Sequence, residues 1–497
     1  MSAHARIVTN FIDGDYVESG GSELIDRRAP GTDEVVSQVV ASSAEAIESA
    51  IDAARAAFDS GPWPHTTGME RAIILNRLAD LIDRDAEKLA RLDSEEGGKP
   101  IILAEGDIAG AASLCRYAAS LAINMQGKTF TNNGPDFTGL VLREPVGVVG
   151  LIIPWNFPAL ILCQKLPFAL AAGCTAVIKP SEFTSSSTWE LMRLVAEAGV
   201  PDGVVNMVSG AGAAGQALTE SPKVDLISFT GSTATGKKVM AAAAGNMKKV
   251  SLELGGKAAN LVFADSDLDD AVAGVVFGMN FNNGECCVSQ PRLLVQASVA
   301  DEFVAEVARR ASQLKVGQPL DRATEVGALI HAGHLDKVDS YVQNAPGFGA
   351  NVVTGGIRLS GGEYGGGQFL APTVIDNVNG TAPAFLEEIF GPVLTVTRFS
   401  DAAEAVRLAN SVEYGLSNSV WSKDIDTVIT VGKALRSGTV YANTTIDAPP
   451  QMPFGGYKAS GIGREMGEAG FEEFTELKSL NIRTGKRAGT FAIPVAR

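Results

Sequence analysis

The sequence is sparing with the residues that staple small proteins together or hold metals. It has five cysteines in 497 residues, Cys115, Cys163, Cys174, Cys286 and Cys287, an odd number without regular spacing. Such a set does not read as a disulfide framework, and free thiols suit a reducing cytoplasm. Four histidines occur, His4, His65, His331 and His334. No cysteine or carboxylate cluster joins His331 and His334, so both read as helix-surface side chains and no metal site is expected. Positive charge is in deficit: 41 Lys and Arg stand against 57 Asp and Glu, a net charge of −16. An acidic chain repels phosphate backbones, which argues against nucleic acid as a partner. The most apolar stretch, 146–178, is interrupted by Pro154, Asn156, Pro158, Gln164, Lys165 and Pro167. It reads as a buried strand, a turn and a buried helix rather than a membrane span. The first residues carry no apolar signal-peptide core. Solenoid repeats and low-complexity tracts are absent.

What is present is an ordinary globular composition, 45% hydrophobic and 20% charged, in a chain too long for one core. Two or three domains are expected. Ser42-x-x-Glu45 reads as a capping box opening a helix over 46–58, and 71–96 reads as one further helix. Residues 129–136 turn polar and Gly/Asn-rich, which suits an excursion from the core. From Val146 the pattern alternates: strands at 146–153, 175–178, 203–208 and 224–229, with helices at 158–172, 185–198 and 233–243 between them. The alternation resumes with a strand at 260–263, a helix from Leu268, a strand at 292–295 and a helix at 301–314. Strand–helix alternation implies parallel sheets with right-handed crossovers, in two α/β units.

Several short motifs carry chemistry, each open to a plainer reading. Phe229-Thr230-Gly231-Ser232 leaves a strand and opens a helix, where free N–H groups and a missing side chain admit a phosphate. Thr233 breaks the glycine fingerprint, and a simple capped turn also fits. Lys179-Pro180-Ser181-Glu182 follows a strand end, where ligands bind in open α/β sheets. Its lysine and glutamate suit ribose hydroxyls, and its carboxylate disfavours a 2′-phosphate; a solvated loop is the alternative. Adjacent Cys286 and Cys287 offer a nucleophile or two buried small side chains, with no neighbouring histidine as base. Glu253, beside Gly255 and Gly256, suits a general base or a charged turn. Asn156, between Trp155 and Phe157, suits an oxyanion donor or a turn residue.

Taken in order, Pro154-Trp155-Asn156-Phe157-Pro158, Lys179-Pro180-Ser181-Glu182, Phe229-Thr230-Gly231-Ser232, Glu253-Leu254-Gly255-Gly256-Lys257, Gly284-Glu285-Cys286-Cys287, Glu388-Ile389-Phe390-Gly391-Pro392 and Pro453-Phe454-Gly455-Gly456-Tyr457-Lys458 resemble the aldehyde dehydrogenase superfamily over nearly the whole chain. The resemblance implies an NAD-dependent, non-acylating enzyme, NAD being preferred to NADP, that turns an aldehyde into an acid through a thioester. It makes Cys287 the nucleophile, Glu253 the base and Asn156 the oxyanion donor, with Lys165 and Glu465 behind them as a proton relay. It assigns Ile153, Trp155, Lys179, Ser181, Glu182, Gly212, Phe229, Thr230, Gly231, Ser232, Leu254, Glu388 and Phe390 to the cofactor, and Phe157, Gln164, Cys286 and Phe454 to the substrate pocket. It implies a Rossmann-like cofactor domain (1–120 and 144–255), a second α/β catalytic domain (256–460) and a small β oligomerisation element (121–143 and 475–497). A cytoplasmic homodimer or homotetramer, without membrane or nucleic-acid partners, is the expected form.

Glu285 and Gln164 depart from common members; Gln164 stands where an aromatic is frequent, which argues against a purely apolar tunnel. Three other readings remain at this point. In an acylating enzyme coenzyme A attacks the thioester, which needs no water-activating Glu253. A non-catalytic binding or structural member would not need Cys287, Glu253 and Asn156 together. A cysteine hydrolase is weaker still, for want of a histidine.

Overall fold

The computed structural model describes residues 5–17 and 23–484. The start of the chain (1–4) and the last part of the expected oligomerisation element (485–497) lie outside the described residues.

The strands that the apolar runs announce assemble into two large sheets. The first has eight strands in the order Gly461–Ile462, Lys249–Glu253, Leu226–Thr230, Val148–Ile152, Thr175–Lys179, Val205–Met207, Asn10–Ile12 and Asp15–Val17. Its five middle strands are parallel, and the outer ones join antiparallel. Val148–Ile152 comes first in the chain among the parallel five and sits centrally. The chain winds one way to Thr175–Lys179 and Val205–Met207, then back to Leu226–Thr230 and Lys249–Glu253. The order therefore reverses between Val148–Ile152 and Leu226–Thr230, and a crevice opens at their carboxyl ends. Helices Pro158–Ala172, Ser186–Ala198, Gly212–Glu220 and Thr233–Ala243 form the crossovers. The first ends at Gly173, whose φ of 98° caps the helix in a conformation glycine adopts without strain.

The second sheet has seven strands, Asn351–Thr354, Thr373–Asp376, Val393–Phe399, Arg292–Gln296, Ala259–Val262, Ser417–Trp421 and Thr439–Ala442, parallel except for the first. A small antiparallel sheet joins Thr475–Arg483, Phe137–Pro145 and Lys128–Phe130. Among the described residues no helix is long and apolar enough to cross a membrane.

Three local expectations need correction. The first helix, Ala44–Asp59, is capped by Ser43, whose hydroxyl accepts from the Ala46 N–H. Ser42 instead bonds Asn10 and the Ser209 carbonyl, so the capping box one residue earlier does not form. A full capping box does form at Thr67 and Glu70. The single helix over 71–96 is two, Gly68–Arg84 and Ala86–Gly97. They break at Asp85, whose carboxylate takes Arg84 and Arg193. Apolar periodicity runs through the break because both helices bury the same side. Third, His334 is not a surface residue: it is 9% exposed, while His331 caps its helix, accepting from the His334 N–H at 3.0 Å.

Candidate active site

The crevice at the strand reversal is a cleft of about 690 Å³. Ile153, Trp155, Lys179, Ser181, Glu182, Gly212, Phe229, Thr230, Gly231 and Ser232 all line it, although they come from four separate segments. Two helix N-termini open onto it, those of Gly212–Glu220 and Thr233–Ala243. Their free N–H groups and dipoles favour a negative group there. Ser232 caps the second helix, accepting from the Thr235 N–H at 3.2 Å, so the capped turn and the anion-binding corner are the same feature. At Gly231 a β-carbon would come within 2.5 Å of the Phe229 ring, so only a bare backbone fits this turn. Lys179 is buried and pairs with Glu182 at 3.2 Å. Burial pulls its ammonium down and the carboxylate pushes it back up.

Leu254, Glu388 and Phe390 stand apart from that lining. Leu254 packs beneath Gly236 of the helix Thr233–Ala243. Glu388 accepts from the Gly256 N–H at 2.8 Å, and the Phe390 ring meets Trp155 edge-on at 5.5 Å. These three extend the site from the cleft toward the second sheet.

There the proposed reacting groups converge. Gly255 and Gly256 let two other segments of the chain approach. A β-carbon on the first would come within 2.5 Å of Glu388 Oε2, and one on the second would strike the Cys287 carbonyl oxygen. The turn before Cys287 is shaped by Asn282 and Asn283, both left-handed at φ 51° and 61°, a conformation asparagine tolerates better than most residues. Asn156 Nδ2 donates to the Glu285 carbonyl at 3.0 Å, and Asn282 Nδ2 donates to the same oxygen at 3.0 Å. The amide of Asn156 is thus fixed beside the Cys286–Cys287 turn with its second N–H still available. Cys287 is half-buried and Cys286 buried. The Cys286 thiol, burial, and the Glu253 and Glu388 carboxylates push the Cys287 thiol well up.

Glu253 ends its strand 3% exposed, with both carboxylate oxygens lacking a side-chain hydrogen-bond partner. It is therefore not part of a charged turn. Burial, then Glu465, push its carboxyl well above the usual range. Lys165 and Glu465 are buried as an ion pair behind it, and Lys165 Nζ also donates to Ser228 Oγ at 2.8 Å. Removing one member of a buried pair strands the other charge. Lys165→Met should therefore cost about 3–5 kcal/mol, read as a lower urea midpoint; an unchanged midpoint would refute the pair's structural weight.

Of the pocket residues, Phe157 stacks on Phe281 at 5.8 Å and lies under Lys99 Nζ at 4.0 Å. Cys286, Phe157, Phe281, Phe454 and Ile446 share one apolar cluster with Cys287, while Gln164 is half-buried. Sequence reasoning missed Phe281, Asn282, Asn283 and His334. The Asn282-Asn283-Gly284 triplet was a readable turn signal; nothing local marks the others.

Several known proteins resemble the chain. The model of the aldehyde dehydrogenase family matches residues 16–480. A betaine aldehyde dehydrogenase of Bacillus subtilis (strain 168) is 44% identical, over 95% of this chain and 96% of its own. An NADP/NAD-dependent aldehyde dehydrogenase of Escherichia coli (strain K12) is 40% identical, over 95% of this chain and 94% of its own. The crystal structure of an NAD-dependent aldehyde dehydrogenase from Sinorhizobium meliloti superposes with a TM-score of 0.96 at 45% identity, covering 98% of this chain and 96% of that one. A betaine aldehyde dehydrogenase from Staphylococcus aureus, crystallised with NAD+, superposes with a TM-score of 0.95 at 38% identity, covering 99% and 97%.

Proposed function

The chain belongs to the aldehyde dehydrogenase family, and from that premise we propose that it oxidises an aldehyde to a carboxylic acid with NAD+, through a thioester on Cys287 that water releases. The cleft suits a dinucleotide. Two helix N-termini and the bare Gly231 turn with Ser232 would hold its pyrophosphate, and Lys179 and Glu182 its adenosine ribose. Glu388 would meet the other ribose, with Trp155 and Phe390 beside the nicotinamide. The Glu182 carboxylate disfavours a 2′-phosphate, which supports NAD over NADP.

The Cys287 thiol loses its proton to solvent, and the thiolate so formed attacks the aldehyde carbon. Asn156 and the Cys287 backbone N–H hold the oxygen as its charge develops. The nicotinamide, when bound, supplies the acceptor for the hydrogen and electron pair leaving that carbon. Glu253 then takes a proton from water, which attacks the thioester and frees the acid and the Cys287 sulfur. The paired Glu465 and Lys165 give that proton a further way out.

The observation that carries the hydrolytic reading is Glu253, a buried carboxylate that no side chain pairs or caps, with only the Gly456 backbone N–H close enough to donate to it. Leaving such a group unpaired costs stability, so its retention beside the nucleophile is best explained by use. Gln164, half-buried on the helix Pro158–Ala172 that follows Phe157, supports an aldehyde with a polar portion. The exposed edge strand Thr475–Arg483, with Leu477 63% and Leu480 44% exposed, supports pairing into a homodimer or homotetramer. Five unpaired cysteines support a reducing cytoplasm. The two large sheets support separate cofactor (1–120, 144–255) and catalytic (256–460) domains, with 121–143 and the described part of 475–497, the strand Thr475–Arg483, forming the oligomerisation element.

The test is NADH formation from NAD+ with short, long, aromatic and polar aldehydes, each with and without coenzyme A. Turnover without coenzyme A is expected. Dependence on coenzyme A would move the chain to the acylating class, and no turnover despite NAD+ binding would favour a binding role.

A further inference from the structure

Residues 388–390 are held from two sides. On one side lies the nucleophile turn: a β-carbon on Gly284 would strike the Gly391 carbonyl oxygen. On the other lies the helix Ala332–Asn344, so close that a β-carbon on Gly391 would come within 2.7 Å of Val338 Cγ1. Between them Phe390 has a φ of 65°. That region is strained for an aromatic residue and persists only where surroundings impose it.

What imposes it is visible. His334 Nε2 lies 2.7 Å from the Phe390 carbonyl oxygen. A carbonyl can only accept, so Nε2 carries the proton. One turn later on the same helix, Lys337 Nζ donates to the Glu388 carbonyl at 3.1 Å. The helix thus holds the segment at two main-chain oxygens. The His334 ring also meets Trp155 edge-on at 5.8 Å and Phe390 at 6.1 Å, filling the space behind both. Its Nε2 lies 3.6 Å from Glu285 Oε1, a carboxylate already accepting from the Ile330 N–H at 2.9 Å. Burial keeps the imidazole neutral, pushed down to about 4.

We infer that His334 is a positioning residue for the cofactor: its ring N–H holds the Phe390 carbonyl and so sets residues 388–390 and the Trp155 ring in the arrangement that receives the nicotinamide half. This rests on the reading above that Glu388, Phe390 and Trp155 face NAD+. His334 touches no reacting atom itself. It acts through a backbone bond, so any side chain that donates from the same place should substitute for it.

The experiment compares full-length wild type, His334→Phe and His334→Gln. Phenylalanine keeps a ring without a donor, and glutamine keeps a donor without a ring. Calorimetry reads the NAD+ dissociation constant, and p-nitrophenyl acetate hydrolysis without cofactor reads the Cys287 and Glu253 chemistry without the nicotinamide. In His334→Phe the NAD+ dissociation constant should rise about tenfold, the scale of one buried hydrogen bond, with ester hydrolysis unchanged. His334→Gln should recover most of the affinity. The inference is overturned if His334→Phe binds NAD+ as wild type does, or if His334→Gln is no better than His334→Phe. A parallel fall in ester hydrolysis would also overturn it, by marking a general packing role. Should His334→Phe not fold, His334→Met against His334→Gln makes the same comparison of donor and no donor. Wild type that fails to bind NAD+ would instead sink the proposed function, so the two failures are told apart.

Discussion

Cys287→Ala should lower NADH formation by at least roughly 10⁴-fold and remove cofactor-independent ester hydrolysis with it. Its NAD+ affinity and unfolding midpoint should stay close to wild type. The side chain ends a turn built by Asn282, Asn283 and Asn156, and the main-chain contact with Gly256 uses the Cys287 carbonyl, so losing the sulfur leaves the scaffold in place. Residual turnover within tenfold of wild type would refute the thioester route. The same thiol carries a pH signature. Its neighbour Cys286, burial, Glu253 and Glu388 all push it upward, so in the free enzyme it is largely protonated at neutral pH. Only the thiolate reacts. Alkylation of Cys287 by iodoacetamide should therefore accelerate as pH rises, about tenfold per unit while pH lies below the thiol's value. A flat rate between pH 6 and 8 would mean the thiol is already ionised.

Glu253→Gln should separate the two halves of the reaction. Acylation needs the nucleophile and the oxyanion donors; release needs an activated water. Steady-state turnover should fall roughly 10²–10⁴-fold, while the first turnover still yields about one NADH per active site as a burst. Full steady-state turnover in the variant would overturn Glu253 as base. In wild type, burial and Glu465 hold the Glu253 carboxyl above the usual range, so the base form grows as pH rises and release should quicken in the same direction. Because amide and carboxyl are nearly isosteric, the variant should fold normally; the carboxylate has no side-chain hydrogen bond to lose.

Much of this site could be read before any coordinates. Phe229-Thr230-Gly231-Ser232 is legible because strand, turn and helix follow each other in the chain, and the structure keeps them so. Glu253 and the two glycines are legible for the same reason. The break at Asp85 was not, since apolar spacing reports which side is buried and not whether the backbone bends. Ser42 and Ser43 are both good caps, and the choice between them rests on Asn10 and Ser209, far away in the chain. His334 was misjudged because its neighbours Trp155, Glu285 and Phe390 come from three distant segments.

Local order along the chain was enough for the alternating α/β architecture and for candidates, the turns that can approach a phosphate and the residues with the chemistry to attack, to accept a proton or to hold an oxyanion, each still open to a plainer reading until the family resemblance joined them. Those properties belong to side chains and to short-range hydrogen bonds, which sequence spells out directly. Only the folded chain decided that the Asn156 amide is fixed on the Glu285 carbonyl, that Glu253 is buried without a side-chain partner, and that Phe390 is held left-handed under His334. Each of these depends on groups brought together from distant segments, and burial and strain have no value until those segments meet.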